Sequence, residues 1–416
     1  MLSILRNSCR RNVRLSTNYL VIRSVGSHHL QTWSCRELLA KKKFDSEQLQ
    51  YLKLQKCDFR TTQCLYVPPF MVYILRPVIY IGGALMGRHI KKWWARKSKE
   101  EKEKYRRWYR ERRNVFLGGF GLYGLTLFIY YITHLKTDPL TQRSRCIIFN
   151  KKQERDLGNI LYEFFLNLFE NNIVPNNHPA SKRILPVFRR LIVANRDLKS
   201  IREIKWDIIV INTPLMNSFT LPDGKIFISL DMLKYVENDD QLGFVLAHEM
   251  AHSLLSHIIE LLTDQFFLDF LIVVPTLLVW VVFPDMAAAI VQLLINQIMR
   301  IMYELPYSRL LEKEADEVAM KLAAKACIDV REAVVFLATL RKLTEMNFLS
   351  PQTPWISSHP SHDDREKNMN DVVTKVLETR EHSGCPALPA VDPRTRFYGR
   401  STTEQIIHFR QRGIIE

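Results

Sequence analysis

Apolar residues over 240–258 recur at helical rather than alternating spacing, with Leu242, Val245, Leu246, Ala251, Leu254 and Leu255 on neighbouring turns. The same periodicity predicts helices over 153–172, 304–325, 330–345 and 364–380. Two runs, 206–211 and 225–229, read instead as strands beside the turn sequences Asn-Thr-Pro and Pro-Asp-Gly. A mainly α domain with a small β-sheet follows. At about 270 residues it is long enough to bury its own core. Residues 115–135 are different: 21 residues of mostly Phe, Leu, Ile, Gly and Tyr with no acid, lysine or arginine, where about 20 apolar residues cross a bilayer core. A buried core helix is the alternative. Residues 69–86 are also apolar but carry Arg76, and no span is assigned to them. Two shorter apolar pieces, 270–283 and 286–303, the second carrying Gln292, Asn296, Gln297 and Arg300, read as a hairpin in contact with a membrane or as a buried helical pair.

The chemistry starts inside the 240–258 helix, at His248-Glu249-Met250-Ala251-His252. Histidines at i and i+4 lie about 40° apart around a helix axis, one turn above the other, so both imidazoles can reach one metal ion. A glutamate between them is placed to take the proton of an attacking water. The pentad also arises by chance in helices, so a third ligand must decide. A catalytic zinc takes three protein ligands and keeps a position open. One such set has a histidine six residues after the second, with a glycine between, but those positions are Ile258 and Leu255. His257 is nine residues from His248, half a turn round a continuous helix, and is expected to point away as a surface or packing histidine. The other set, two histidines and a downstream glutamate, finds its candidate in 308–316. Glu312 and Asp316 share a helix face, so Glu312 can ligate while Asp316 fixes the outer nitrogen of a ligand histidine. Ala315 keeps that face small, and Glu314 and Glu317 lie off it, expected in solvent. Taken alone, this run is also an ordinary charged helix surface; beside the pentad it reads as a metal site.

His-Glu-Met-Ala-His followed by Glu-x-x-Ala-Asp resembles the M48 family of membrane-associated zinc metallopeptidases. The likeness continues upstream at Asn217-Ser218-Phe219 and 222–228, and downstream at Ser358-His359-Pro360 and Arg365, covering about residues 150–380. Pro306-Tyr307-Ser308-Arg309 and 322–327 are similar to the family's mitochondrial inner-membrane branch. The resemblance implies a gluzincin-like zinc metalloprotease domain with one zinc per subunit. His248, His252 and Glu312 would be the ligands, Asp316 would stand behind them, and Glu249 would be the general base. His359 and Arg365 are the candidates for steadying the oxyanion or touching substrate, with a structural role in a turn left open. Asn217, Phe219 and the strand after them are a candidate substrate-binding edge or plain scaffold sheet. The implied substrates are membrane proteins, including the dynamin-like fusion GTPase of the inner membrane, and the chain itself. Self-association is implied too, with no subunit number.

The formal charge of +16 would suit nucleic acid, but its distribution argues against that. Residues 1–36 hold six arginines, many serines and neither lysine nor acid, the composition of a mitochondrial transit peptide, with a disordered basic tail as the alternative. Residues 88–113 carry a net +9, interleaved with Trp93, Trp94, Tyr105, Trp108 and Tyr109, which suits an anionic, cardiolipin-like headgroup layer. The remainder is nearly neutral. Positive charge on the N-terminal side of 115–135 keeps that side in the matrix and turns the peptidase domain to the intermembrane space. Of seven cysteines, Cys146, Cys327 and Cys385 would share that oxidising space. Cys327 and Cys385 are the candidate disulfide, a free buried Cys327 being the alternative.

The expected organisation is a transit peptide (1–36), a matrix-side basic region (37–114), a transmembrane helix (115–135), the peptidase domain (136–384) with an apolar membrane-associated insert (265–303), and a partly extended C-terminal tail (385–416). The expected function is a zinc endopeptidase of the mitochondrial inner membrane serving quality control and stress signalling. The rivals are a prenyl-protein or heat-shock type relative in another membrane, and a non-catalytic membrane scaffold.

Overall fold

The computed structural model describes residues 70–350, 352–359 and 362–415, together with two short strands nearer the start. Most of residues 1–36, where a transit peptide is expected, all of 37–69, Pro351, Pro360, Ser361 and Glu416 lie outside the described residues. The chain forms two units, Met1–Tyr66 and Val67–Glu416. In the first, β1 (Tyr19–Val21) pairs antiparallel with β2 (Thr32–Ser34).

The second unit opens with α1 (Phe70–Ala95) and α2 (Lys99–Thr133). Ser98 begins α2 with a reciprocal cap: its hydroxyl accepts from the Glu101 N–H, and the Glu101 carboxylate accepts from its own N–H. The basic run after it and the apolar run 115–135 therefore join in one 35-residue helix. A hairpin follows at once, β3 (Leu135–Thr137) against β4 (Ser144–Cys146). Next come α3 (Lys151–Leu168), capped by Asn150, then α4 (Pro179–Ala194) and α5 (Lys199–Glu203). A three-stranded sheet of β5 (Asp207–Ile211), β6 (Ser218–Thr220) and β7 (Lys225–Ser229) has the order β5-β7-β6, with β7 parallel to β5 and antiparallel to β6. The rest is helical: α6 (Met232–Tyr235), α7 (Asp239–Leu254), α8 (His257–Val282), α9 (Asp285–Met299), a π-helical turn at Arg300–Glu304, α10 (Leu305–Lys325), α11 (Arg331–Glu345), α12 (Pro354–Ser358), α13 (His362–His382), α14 (Pro393–Tyr398) and α15 (Thr402–Gln411).

The mainly helical class with small sheets is as the periodicity predicts. Several elements escaped it, α4 and β6 among them. Helix α4 starts on Pro179 and carries Pro186 inside, which breaks the pattern a reader looks for. Strand β6 is only three residues long. The chain after Cys385, expected to be partly extended, also carries two short helices. Asp392 and Ser401 cap them, Phe397 packs on Val335 and Ala338 of α11, and Phe409 joins the main core.

Helix α7 is the centre of that core. It is buried on every side, against α4, α10, α11 and β6. Gly243 permits the approach, because a Cβ there would lie 2.3 Å from Ile328 Cδ1. Among the described residues, three helices are long and apolar enough to cross a membrane by length and composition: Lys99–Thr133, His257–Val282 and the continuous Asp285–Lys325. The pieces around 270–303 are thus longer than their apolar runs suggested, since α8 and α10 extend them toward the core. Helix α1 lies parallel to α8 through Gly83 and Gly87, where a Cβ on Gly87 would meet Trp280 Cβ at 2.5 Å. Its end reaches the α8–α9 turn, with Arg88 Nε 3.1 Å and Lys91 Nζ 2.5 Å from Asp285. Tyr80 donates to Asn296 on α9, and Tyr123 of α2 donates to the Phe270 carbonyl on α8. Asp285 at the α8–α9 turn thus meets basic residues of α1, and Tyr131 near the end of α2 packs on Phe267 of α8.

Cys327, after α10, and Cys385, after α13, are joined in a disulfide across Cα atoms 5.2 Å apart, closing 58 residues of chain. A loop of that length predicts that replacing both by serine costs about 2–4 kcal/mol, to be read by chemical denaturation of the purified protein. An unchanged midpoint would mean that the bond carries no load in the folded chain.

Candidate metal centre

Helix α7 starts at Asn238, whose side chain accepts from the Asp240 and Gln241 N–H groups, and it carries His248, Glu249 and His252 on successive turns. Helix α10 lies across it and brings Glu312 and Asp316, with Ala315 fully buried in the contact. The segment after α12 adds His359, and α13 adds Arg365.

Four donor atoms converge. His248 Nε2 lies 3.1 Å from His252 Nε2, 3.4 Å from Glu312 Oε2 and 3.2 Å from His359 Nδ1. His252 Nε2 is 3.4 Å from Glu312 Oε1, and His359 Nδ1 is 2.8 Å from Glu312 Oε2. Ligands bound about 2.0–2.1 Å from a tetrahedral ion stand about 3.3 Å from one another. The cluster therefore has the dimensions of a metal site, and the chemistry of its donors agrees. The outer nitrogen of each pentad histidine already faces a partner, His248 Nδ1 at 3.0 Å from Asp316 Oδ1 and His252 Nδ1 at 3.0 Å from His257 Nδ1. Protons held on those outer nitrogens leave both Nε2 lone pairs pointing inward.

Electrostatics favours the same arrangement. Burial disfavours a charge on His248, but Asp316 and Glu312 outweigh it and carry the imidazole up to about 9, making it a strong base for a cation. Burial drives His252 well below the usual histidine range, so its ring is neutral. Burial also pushes the Glu249 carboxyl up, against the pull of His359 and His248. Glu249 is 1% exposed, with Oε1 3.8 Å from His359 Nε2.

Arg365 is buried and fully engaged. Its Nε and Nη2 bond the two Asp316 oxygens at 2.7 and 2.8 Å, and Nη1 lies 3.2 Å from Glu312 Oε2. It stands behind the ligands, holding the carboxylate that faces His248, rather than opening onto a substrate path. Trp355, absent from the sequence reading, sits beneath: its ring is 4.9 Å from that of His359 and 5.6 Å from the Arg365 guanidinium. The signal available was its place one helical turn before His359.

Asn217 immediately precedes β6 and Phe219 is its central residue; the strand packs on α7. The Asn217 N–H donates to Ser229 Oγ, and its carbonyl accepts from the Ser229 N–H. Phe219 stacks on Phe227 at 5.1 Å, on the sheet face that meets Phe165 of α3. Its ring therefore packs the sheet, while Ser218 and Thr220 are buried on the other face. In the order β5-β7-β6, strand β6 keeps one edge unpaired within its sheet.

Two residues depart from expectation. Helix α7 stops at Leu254, and Ser256 takes a left-handed φ of 53°. The helix is not continuous, so His257 swings back to face His252 and is 1% exposed. Glu314, expected in solvent, is also buried. It faces His257 Nε2 at 3.3 Å and binds Arg143 and Arg145 of the β3–β4 hairpin.

The sequence is similar to known peptidases. Residues 181–373 match the profile of Peptidase family M48. The chain is 34% identical over 331 residues to a protein named metalloendopeptidase OMA1, mitochondrial, of Danio rerio, spanning 79% of this chain and 69% of that one. Its Homo sapiens counterpart is 33% identical over 79% of this chain and 63% of its own. The mitochondrial metalloendopeptidase OMA1 of Saccharomyces cerevisiae is 31% identical over 62% of this chain and 75% of its own. The chain thus spans about two thirds of the length of its animal relatives.

Proposed function

The chain belongs to peptidase family M48 and is a metalloendopeptidase, and from that premise we propose that it is a zinc-dependent endopeptidase of the mitochondrial inner membrane that cleaves membrane-anchored proteins. One observation carries the membrane part. The metal cluster is built on the ends of the apolar helices: α8 begins three residues after α7, and α9 runs through the π-turn into α10. Glu312 follows Glu304, the last residue of that turn, by eight positions, a rise of about 12 Å along a helix. A cleft so placed meets polypeptide close to the bilayer, and anchored substrates are delivered to it by two-dimensional diffusion.

His248, His252 and Glu312 are the residues that would hold zinc, and His359 Nδ1 is a fourth donor within reach of them. Zinc would supply Lewis-acid polarisation of the scissile carbonyl and of the attacking water. The chain's own residues do the rest. Glu249, kept by burial from being a strong acid, takes the water's proton on its carboxylate and passes it to the leaving amine. An extended substrate segment pairs its backbone with the open edge of β6 (Ser218–Thr220), next to Asn217. His359, 3.8 Å from Glu249, is near enough to donate a hydrogen bond to the oxyanion once it turns from Glu312.

The relatives' names support a mitochondrial address. In that setting α2 crosses the inner membrane with residues 88–113 on the matrix face, against anionic lipid of the cardiolipin type, and the metal centre opens to the intermembrane space. Helices α8 and α9 cross beside α2 in this reading, with α1 packed on α8, and the Arg88–Asp285–Lys91 contact then lies toward the matrix face. The expected role is quality control and stress response, with the dynamin-like fusion GTPase and the chain itself among substrates, in a homo-oligomer. In vesicles holding the purified enzyme, a substrate peptide anchored by an apolar helix is expected to be cut at least tenfold faster than the same peptide free in solution. Equal rates would defeat the membrane-directed reading.

A further inference from the structure

We infer that His257 and Glu314 are positioning residues for the metal ligand His252, forming a chain of hydrogen bonds that ends on Arg143 and Arg145. The inference rests on the zinc reading above. His252 Nε2 faces the cluster, so its outer nitrogen, Nδ1, must carry the proton, because an imidazole that gives the Nε2 lone pair to a metal is protonated on Nδ1. That proton points at His257 Nδ1, 3.0 Å away. His257 Nδ1 is then the acceptor, which puts the His257 proton on Nε2, and Nε2 faces Glu314 Oε2 at 3.3 Å. One assignment of tautomers satisfies both contacts. The reverse assignment sets a lone pair of His257 against a carboxylate and a proton of His252 against the metal cluster.

The far end of the chain is fixed. Arg143 Nε and Nη2 bond the Glu314 oxygens at 2.9 and 2.7 Å, and Arg145 Nη2 adds a contact at 3.2 Å. Glu260 backs the same two arginines, at 2.6 and 2.8 Å from Arg143 and 3.3 Å from Arg145, and accepts from the Tyr307 hydroxyl. Two guanidinium groups balance two carboxylates, so His257, Glu260 and Glu314 close on protein cations and need no second ion. The local backbone is bent to make this possible. A left-handed serine is strained, and Ser256 adopts that conformation where the turn must bring His257 back to His252.

The two ligand histidines are thus supported in parallel ways. His248 leads to Asp316 and Arg365. His252 leads through one extra imidazole to Glu314 and the two arginines. Those arginines sit on the β3–β4 hairpin, directly after α2, so the ligand is tied to the segment where the chain leaves its long apolar helix.

The test is zinc affinity, measured by competition with a chromophoric chelator on the purified full chain in detergent, alongside the thermal unfolding midpoint of the zinc-stripped protein. His257→Phe keeps a ring and removes both nitrogens; it is expected to weaken zinc binding by about 10- to 100-fold with the stripped midpoint unchanged. His257→Asn keeps an acceptor for His252 and drops the link to Glu314; it is expected to fall between wild type and His257→Phe. The visible spectrum of the cobalt-substituted form should shift in both. Wild-type affinity in His257→Phe, or no recovery in His257→Asn, would overturn the inference. Should His257→Phe fail to fold, His257→Asn decides alone: weaker zinc at an unchanged midpoint upholds the chain, and unchanged affinity overturns it. A wild-type chain that binds no zinc is a different outcome and would bring down the zinc reading itself.

Discussion

Glu249→Gln is expected to lower peptide cleavage by about 10²- to 10⁴-fold while the protein keeps its metal and its fold. The substitution removes one negative charge and retains the shape. Glu249 lies on α7 between the two pentad histidines, is 1% exposed, and is not one of the four convergent donors. A glutamine there cannot accept a proton from water, so the barrier rises without loss of the binding site. Burial already raises the Glu249 carboxyl, so a neutral amide fits the surroundings more easily than the carboxylate does. Stability is therefore expected to hold or rise. Metal content by mass spectrometry and turnover of an anchored peptide together check the split, and loss of metal along with activity would show that Glu249 is needed to build the site.

Arg365→Met is expected to be the most destabilising single change near the centre, by about 3–5 kcal/mol, because it strands a buried carboxylate. Asp316 would lose both bonds from the guanidinium, at 2.7 and 2.8 Å, and Glu312 its neighbour at 3.2 Å. The cation over the Trp355 ring would go as well. Asp316 would then be free to turn from His248 Nδ1, and the ligand ring would lose its orientation. Zinc affinity should fall by about 10- to 100-fold in whatever fraction folds. Arg365→Lys restores one charge and no bidentate geometry, so it should recover part of the stability and little of the affinity. If Arg365→Met kept wild-type stability and metal but lost turnover, Arg365 would instead be acting on the substrate.

How much of this was legible follows from where each residue's partners lie in sequence. The pentad could be read because its chemistry sits within one turn of one helix. Glu312 and Asp316 could be read for the same reason, and Ala315 between them marks the close contact. Arg365 was visible as a functional position, but its partner was not: Asp316 is 49 residues away, and only the crossing of α13 with α10 joins them. His257 was misread because the angular argument assumed a continuous helix, and the break at Ser256 is a backbone event with no glycine or proline to announce it. Glu314 was sent to solvent because it lies off the Glu312 face. Its partners, Arg143 and Arg145, are about 170 residues upstream on a hairpin that no periodicity predicted. The apolar helices were found as hydrophobic runs, but their pairing through Gly83, Gly87 and Asp285 depends on contacts between distant segments.

On the proposal above, one zinc held by His248, His252 and Glu312 makes this chain a peptidase. The most direct measurement is cleavage of a helix-anchored peptide by the purified, vesicle-embedded full chain, first stripped with a chelator and then titrated with zinc. Activity is predicted to vanish on stripping and to return in proportion to zinc until one equivalent per chain is bound, and His252→Ala should show no such recovery. Full activity in the stripped protein, or in His252→Ala, would contradict it.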